Sequence, residues 1–279
     1  MLTALLATLG AALFGAADFL GGLAARKAPA LAVTITSQAT GFVVLVFGSL
    51  AMGWSGDLRV PLLWGLAAGV SGGIGVLALY AGLATGRMSV VAPVTAALSG
   101  SIPAIVDFAG GTTVGPYALA GIVLAFVAIV IVSVSGHDQS AENAWRALVF
   151  ALIAGFGFAG SILSYAQTPQ SSGLWPLAIA RVTAVAMLSL AGLMARRSIV
   201  VTGEGRRIAI FAGAVDATAN TAVVTALRLG PIAVASVLAA LYPVGTVLLA
   251  RFVLHEHVRG WQRVGIVLAL VAVVLTAIP

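Results

Sequence analysis

Asp18, Gln38, Arg181, Asp216 and Asn220 interrupt stretches of sequence that are otherwise apolar. A charge at the centre of a bilayer costs at least ~2.5–3.5 kcal/mol on insertion scales, so each charged member needs a partner, water or a cargo. Arg181 is the sharpest case. It stands in LWPLAIARVTAVAML, residues 174–188, roughly 12 Å from the end of its run at 1.5 Å per residue and beyond the easy reach of a snorkelling side chain. Asp18 and Asp216 are the acids placed well inside apolar runs, and either could neutralise it. Asp216 and Asn220 are four residues apart, share one helix face and present a carboxylate and an amide together. Two chemistries fit Arg181: a structural ion pair with Asp216 or Asp18 that fixes helix packing, and a cavity-lining cation that meets the carboxylate of a cargo. The two acids fit cavity lining with a proton relay as well as a buried structural pair. Tyr80, Tyr165 and Tyr242 either line the same cavity or serve packing and the interfacial belt. Asp107, beside Gly110 and Gly111 near the end of its run, reads as a solvated interface residue.

The elements that must hold these residues are transmembrane helices. The chain has 279 residues, 61% of them hydrophobic and 8% charged, with a mean hydropathy of +1.14; a soluble domain carries about a quarter of its residues as charges. Apolar runs of about twenty residues recur from end to end, each long enough to cross a hydrocarbon core of about 30 Å as a helix. A transmembrane β-barrel would need alternating segments with a polar lumen face, and the sequence has none. The net charge of +6 comes from bases that fall mostly between the runs, which points to anchoring at a cytoplasmic membrane face rather than to nucleic acid. The absence of cysteine excludes disulfides, thiolate metal sites and iron–sulfur clusters. The first run continues to about Ala24 without a basic n-region and reads as a span, not a cleaved signal peptide. Charges and Pro/Gly/Ser clusters place ten spans, near 2–24, 31–53, 61–85, 88–109, 114–135, 145–167, 174–195, 208–228, 231–253 and 260–278. Trp54, Trp64, Trp145, Trp175 and Trp261 all fall near span ends, where an interfacial belt forms.

The chain repeats itself. At an offset of 144, Leu83 to Val130 matches Leu227 to Val274 at 14 of 48 positions without a gap, against roughly one in ten by coincidence, and GIVLAFVAIV at 121–130 answers GIVLALVAVV at 265–274. The same offset pairs Gly69 with Gly213 and Gly72 with Asp216; offsets of 142 and 143 pair Phe14-Gly15 with Phe156-Gly157, Thr40 with Thr183, and Gln38 with Arg181. Because five spans is an odd number, two fused copies cross the membrane in opposite senses. The loop charges swap as inversion requires: Arg26 and Lys27 have no counterpart at 167–172, whereas Arg59 alone answers Arg196, Arg197, Arg206 and Arg207. Summed Lys and Arg place the odd-numbered connectors inside and both termini outside.

The segment ALRLGPIAVASVLAALYPVGTVLLARFVLHEHVRGWQRVGIVLALVAVVL, residues 226–275, carries a small-residue helix, a mid-span proline, a short loop with Glu256 and a final Gly-led helix. This resembles the C-terminal signature of the EamA family in the drug/metabolite transporter superfamily. The first-half copy has Thr112 where that family usually has the glutamate. The resemblance implies ten helices packed as a basket around a central cavity and export of small metabolites such as amino acids. It also implies an arginine placed like Arg181 in the second half.

Other functions fit less well. Ala97-Leu98-Ser99-Gly100 misses a nucleophile elbow by its first glycine, and His255-Glu256-His257 lacks the spacing that puts two imidazoles on one helix face. The chain has no G-x-x-x-x-G-K-[ST] loop for nucleotide-driven pumping and no ring of like charges or filter loop for a channel. Gly65, Gly69 and Gly73 form a small-residue stripe for close helix approach. Pro93, Pro103 and Pro243 remove backbone donors in spans four and nine, which are repeat mates, and these helices are the expected gates; static kinks are the other reading.

The sequence therefore predicts an all-α polytopic membrane protein of ten transmembrane helices, arranged as two inverted five-helix repeats around a central cavity. The repeats are residues 1–135 and 145–279, joined by a linker at 136–144. The expected function is secondary transport by alternating access, in the exporting direction, of small polar or amphipathic metabolites, amino acids foremost. A polytopic membrane enzyme or a channel is the alternative. The expected setting is a monomer in the cytoplasmic membrane of a prokaryote, with a small-molecule cargo and the lipid bilayer as partners and no cofactor, metal or nucleic acid.

Overall fold

The computed structural model describes residues 1–52, 59–85, 88–113, 115–134, 141–253 and 260–277, and these form helices with no strand among them. In chain order they are α1 (Leu2–Ala25), α2 (Ala30–Met52), α3 (Arg59–Thr85), α4 (Met88–Ala109), α5 (Pro116–Val134), α6 (Ala141–Ala166), a 3-10 turn (Gln170–Ser172), α7 (Trp175–Met194), α8 (Gly203–Leu229), α9 (Ile232–Ala239), α10 (Tyr242–Val253) and α11 (Gly260–Ala277). Seven stretches among the described residues are long and apolar enough to cross a membrane: α1, α2, α3, α6, α7, α8 and the α9–α10 pair. In lipid a helix satisfies its own backbone, so these runs have no competing structure.

The expected ninth span is not one helix. It breaks between α9 and α10 at Ala240 and Leu241, where Leu241 N donates to Leu238 O at 3.1 Å and closes a tighter turn. Pro243, in the first turn of α10, has no N–H to continue the i→i−4 ladder, so the break falls just before it. The mate helix α4 runs unbroken through Pro103, which is buried. At α6 the helix begins at Ala141, inside the expected linker.

The helices interleave across the two halves. α1 packs chiefly on α8 and α3 on α6, while α2 lies against α7, α4 against α9 and α5 against α11. Glycine sets the closest approaches. A Cβ at Gly69 would sit 2.6 Å from Thr183 Cβ and 2.9 Å from Ala180 Cα, and one at Gly73 would sit 2.8 Å from Ala184 Cβ; the stripe on α3 is the seat for α7. At Gly213 a Cβ would meet the Ser37 backbone, 2.8 Å from its carbonyl carbon and 2.9 Å from its Cα, so α8 lies on α2 as α3 lies on α7.

α8 fixes two opposite ends of the molecule. Its 27 residues span about 40 Å. At its start Glu204 accepts from Lys27 Nζ at 2.6 Å, joining the α7–α8 and α1–α2 connectors. At its finish Arg228 donates to Gly173 O at 2.7 Å and to Thr168 Oγ1 at 2.8 Å, holding the α6–α7 connector. An acid in the first turn and a base in the last also suit the helix dipole.

Candidate functional site

A cavity lies where α1, α2, α3, α4, α6, α7, α8 and the α9–α10 break converge. It takes in about 790 Å³ of non-atom space, its open mouth included. Seven of the eight residues expected to bind cargo line it: Asp18, Gln38, Tyr165, Arg181, Asp216, Asn220 and Tyr242. The eighth, Tyr80, does not. It is 2% exposed and its ring covers Gly21 of α1, whose missing side chain makes the room it occupies.

The structure partners Arg181 with Asp216, at 2.5 Å between Nη2 and Oδ2. Its Nη1 donates to Gln38 Oε1, the residue at the matching position of the first half. Both members of the ion pair are buried, with side chains 7% and 12% exposed. Charges so placed gain from each other what they lose in hydration only when the geometry is close and further hydrogen bonds complete the shell. Asn220 supplies one of these, donating Nδ2 to Asp216 O at 3.1 Å and to Oδ2 at 3.4 Å. Gly41 borders the guanidinium: a Cβ there would lie in ordinary contact, 3.5 Å from Arg181 Nε and 3.4 Å from Gly213 O.

The walls are apolar and aromatic. Phe14 meets Tyr242 edge to face, with centroids 6.5 Å apart and planes at 72°. The Tyr242 hydroxyl is spent on Ala92 O, 3.1 Å away, so the ring and not the hydroxyl is offered to the cavity. Phe14, Phe158, Ser99 and Ser161 line the space without having been expected there. Ser99 donates to Ala96 O at 3.2 Å, an ordinary helix back-bond. Gly69, Gly72, Ala239 and Ala240 also face it, so the broken helix contributes its break to the wall.

Two other expectations change. Asp107 is not a merely solvated acid: its Oδ2 accepts from Ala233 N at 2.8 Å and its Oδ1 from Thr112 Oγ1 at 3.0 Å, so it ties the end of α4 to the first turn of α9. An unpaired N–H at a helix start is what such a carboxylate satisfies. Trp145 and Trp261 are exposed as a belt requires, whereas Trp175 is half-buried. Trp54, His255, Glu256, His257 and the side chain of Pro93 lie outside the described residues.

Comparison with known proteins decides the family. Residues 145–278 match the EamA-like transporter family. That stretch, the second half of the chain, is of this family, which is part of the drug/metabolite transporter superfamily. A crystal structure described only as that of a protein superposes on this chain with a TM-score of 0.71, at 17% identity, covering 96% of this chain and 98% of the other; the likeness is one of fold. No curated protein matches. With seven helical stretches long and apolar enough to cross a membrane among its described residues and an EamA-like second half, the protein is a multi-pass membrane protein.

Proposed function

We propose that the protein is a secondary transporter whose cargo occupies the cavity around Arg181 and Asp216, moved by alternating access between two inverted five-helix repeats, residues 1–135 and 145–279. One observation carries the reading: a charged cavity lined from both halves and from the break of a discontinuous helix. Charge is retained at bilayer depth where it meets a substrate or an ion, and broken helices are the usual way such sites expose backbone.

Inversion is supported by how matching positions pack. Gly69 seats α7 at Ala180 and Gly213 seats α2 at Ser37, and Ser37 and Ala180 are themselves 143 residues apart. Thr40 donates to Thr36 O and Thr183 to Ile179 O, the same bond in each copy. Ten spans go with this topology, and the loop charges put the odd connectors inside and the termini outside; the Lys27–Glu204 contact, which brings two odd connectors together, supports the reading. Cysteines placed at Arg26 and at Arg197 should both be sheltered from an impermeant thiol reagent applied outside, and labelling of either refutes the orientation.

The cargo class is a small polar or amphipathic metabolite, amino acids foremost, carried outward across the cytoplasmic membrane of a prokaryote by a monomer. Gating falls to α4, at Pro93 and Pro103, and to α9–α10, at Pro243. The test is uptake by proteoliposomes from a panel of amino acids, amines, purines and sugars. Protein-dependent uptake of at least one compound, abolished in Arg181→Ala, is expected; uptake indifferent to Arg181→Ala removes the site.

A further inference from the structure

Among the described residues, the formal charges that line the cavity do not cancel when Asp18 is ionised. Asp18, Arg181 and Asp216 are its charged residues, and two of them neutralise each other at 2.5 Å. We propose that the remaining carboxylate, Asp18, receives the ammonium group of the cargo, so that the site selects organic amines over zwitterions and zwitterions over acids. This rests on the transporter reading and, within its class of small polar or amphipathic metabolites, moves the preferred cargo from amino acids to organic amines.

Asp18 is 7% exposed and faces the cavity, yet it makes no hydrogen bond or ion pair among the described residues. A buried carboxylate without a partner is costly, and one positive charge brought to it removes the cost. The other groups cannot do so. Arg181 is committed to Asp216 and Gln38, Asn220 turns its amide on Asp216, and the Tyr242 hydroxyl is held by Ala92. What surrounds Asp18 suits a cation. Phe14 is one turn before it on α1 and lines the same cavity, with the Tyr242 ring against it. A carboxylate beside aromatic faces holds an ammonium by charge and by the ring quadrupoles. An acid meets the reverse situation, because the cation that would anchor it is already neutralised and a surplus negative charge remains. The acid stands in one copy only: at the offset of 142 that pairs Phe14 with Phe156, Asp18 faces Gly160, so the cavity holds a single ammonium site.

Four compounds on one phenylethyl skeleton read this directly: phenethylamine, phenylalanine, hydrocinnamate and phenethyl alcohol. Their binding to the purified full-length protein in detergent is measured by calorimetry, for wild type, Asp18→Asn and Asp18→Glu. The expected order is amine, then zwitterion, then acid, with the amine at least about tenfold tighter than the acid. Asp18→Asn should erase that preference and Asp18→Glu should keep it. An acid that binds as tightly as the amine, an alcohol that equals the amine as it would on a protonated Asp18, or an order that survives Asp18→Asn overturns the proposal. The wild-type order decides the matter even if Asp18→Asn does not fold. Uptake of the same four compounds into proteoliposomes separates the two readings. An amine that binds in the expected order but does not cross defeats transport alone, whereas preferential uptake of the acid defeats the ammonium site alone.

Discussion

Gly69 and Gly213 hold matching positions and do the same thing; Gly72 and Asp216, three residues further along the same two helices, do not. Each of the first two lets its helix lie on the backbone of a neighbour, at Ala180 and at Ser37. Of the second two, one is a bare wall beside Ser161 and the other is half of a buried ion pair. The difference extends to the partner, since Asp216 holds Arg181 while the first-half counterparts are Gly72 and Gln38, a neutral couple. Geometry explains why the charge occurs once. Arg181 and Gln38 are counterparts that touch each other, so a faithful copy would press two guanidiniums together. Packing positions tolerate symmetry, but a cation that meets its own counterpart does not.

The comparison can be broken most severely at the ion pair. Arg181→Ala leaves Asp216 buried without its counter-ion, and melting of the purified protein should show a loss of about 3–5 kcal/mol. The double change Arg181→Gln with Asp216→Gly gives the second half the neutral couple of the first. It should recover most of that loss, and a double variant no more stable than the single one would contradict the account. Next come the seats: Gly69→Ala and Gly213→Ala should each cost about 1–3 kcal/mol by overpacking against backbone, and by similar amounts. A large inequality between them would mean the two interfaces are not equivalent. Gly72→Ala should cost less than either, because its added Cβ meets the Ser161 side chain, 3.1 Å away at Oγ, and not a backbone. The smallest effect is expected at Lys27→Ala, which removes an exposed pair and should leave the melting temperature unmoved.

Much of the fold was legible because apolar length is a strong signal: among the described residues, seven stretches long and apolar enough to cross a membrane fall on expected spans, one of them split. Pro243 announced a disturbance in the ninth, but a missing donor does not say whether the helix bends or parts; the 3-10 turn at Leu241 does. In the site, the polar residues were found because polarity is rare here. Phe14, Phe158, Ser99 and Ser161 were missed because an aromatic or a serine in an apolar run carries no mark of the face it occupies. Tyr80 and Tyr165 show the same limit, since both are buried tyrosines and only rotation about the helix puts one in the cavity and one behind Gly21. The offset of 143 named Gln38 and Arg181 as counterparts. That they are also partners depends on the crossing of α2 and α7, which no single-chain pattern encodes.

The central claim is that this cavity is the path of the cargo, and the lack of native cysteine makes it testable with one added thiol. Ser161→Cys places that thiol in the wall opposite Gly72. Uptake by proteoliposomes is measured before and after complete modification with a water-soluble thiol reagent, verified by mass. The account predicts uptake by the unmodified variant that stops on modification; uptake at full rate through a fully modified protein would contradict it.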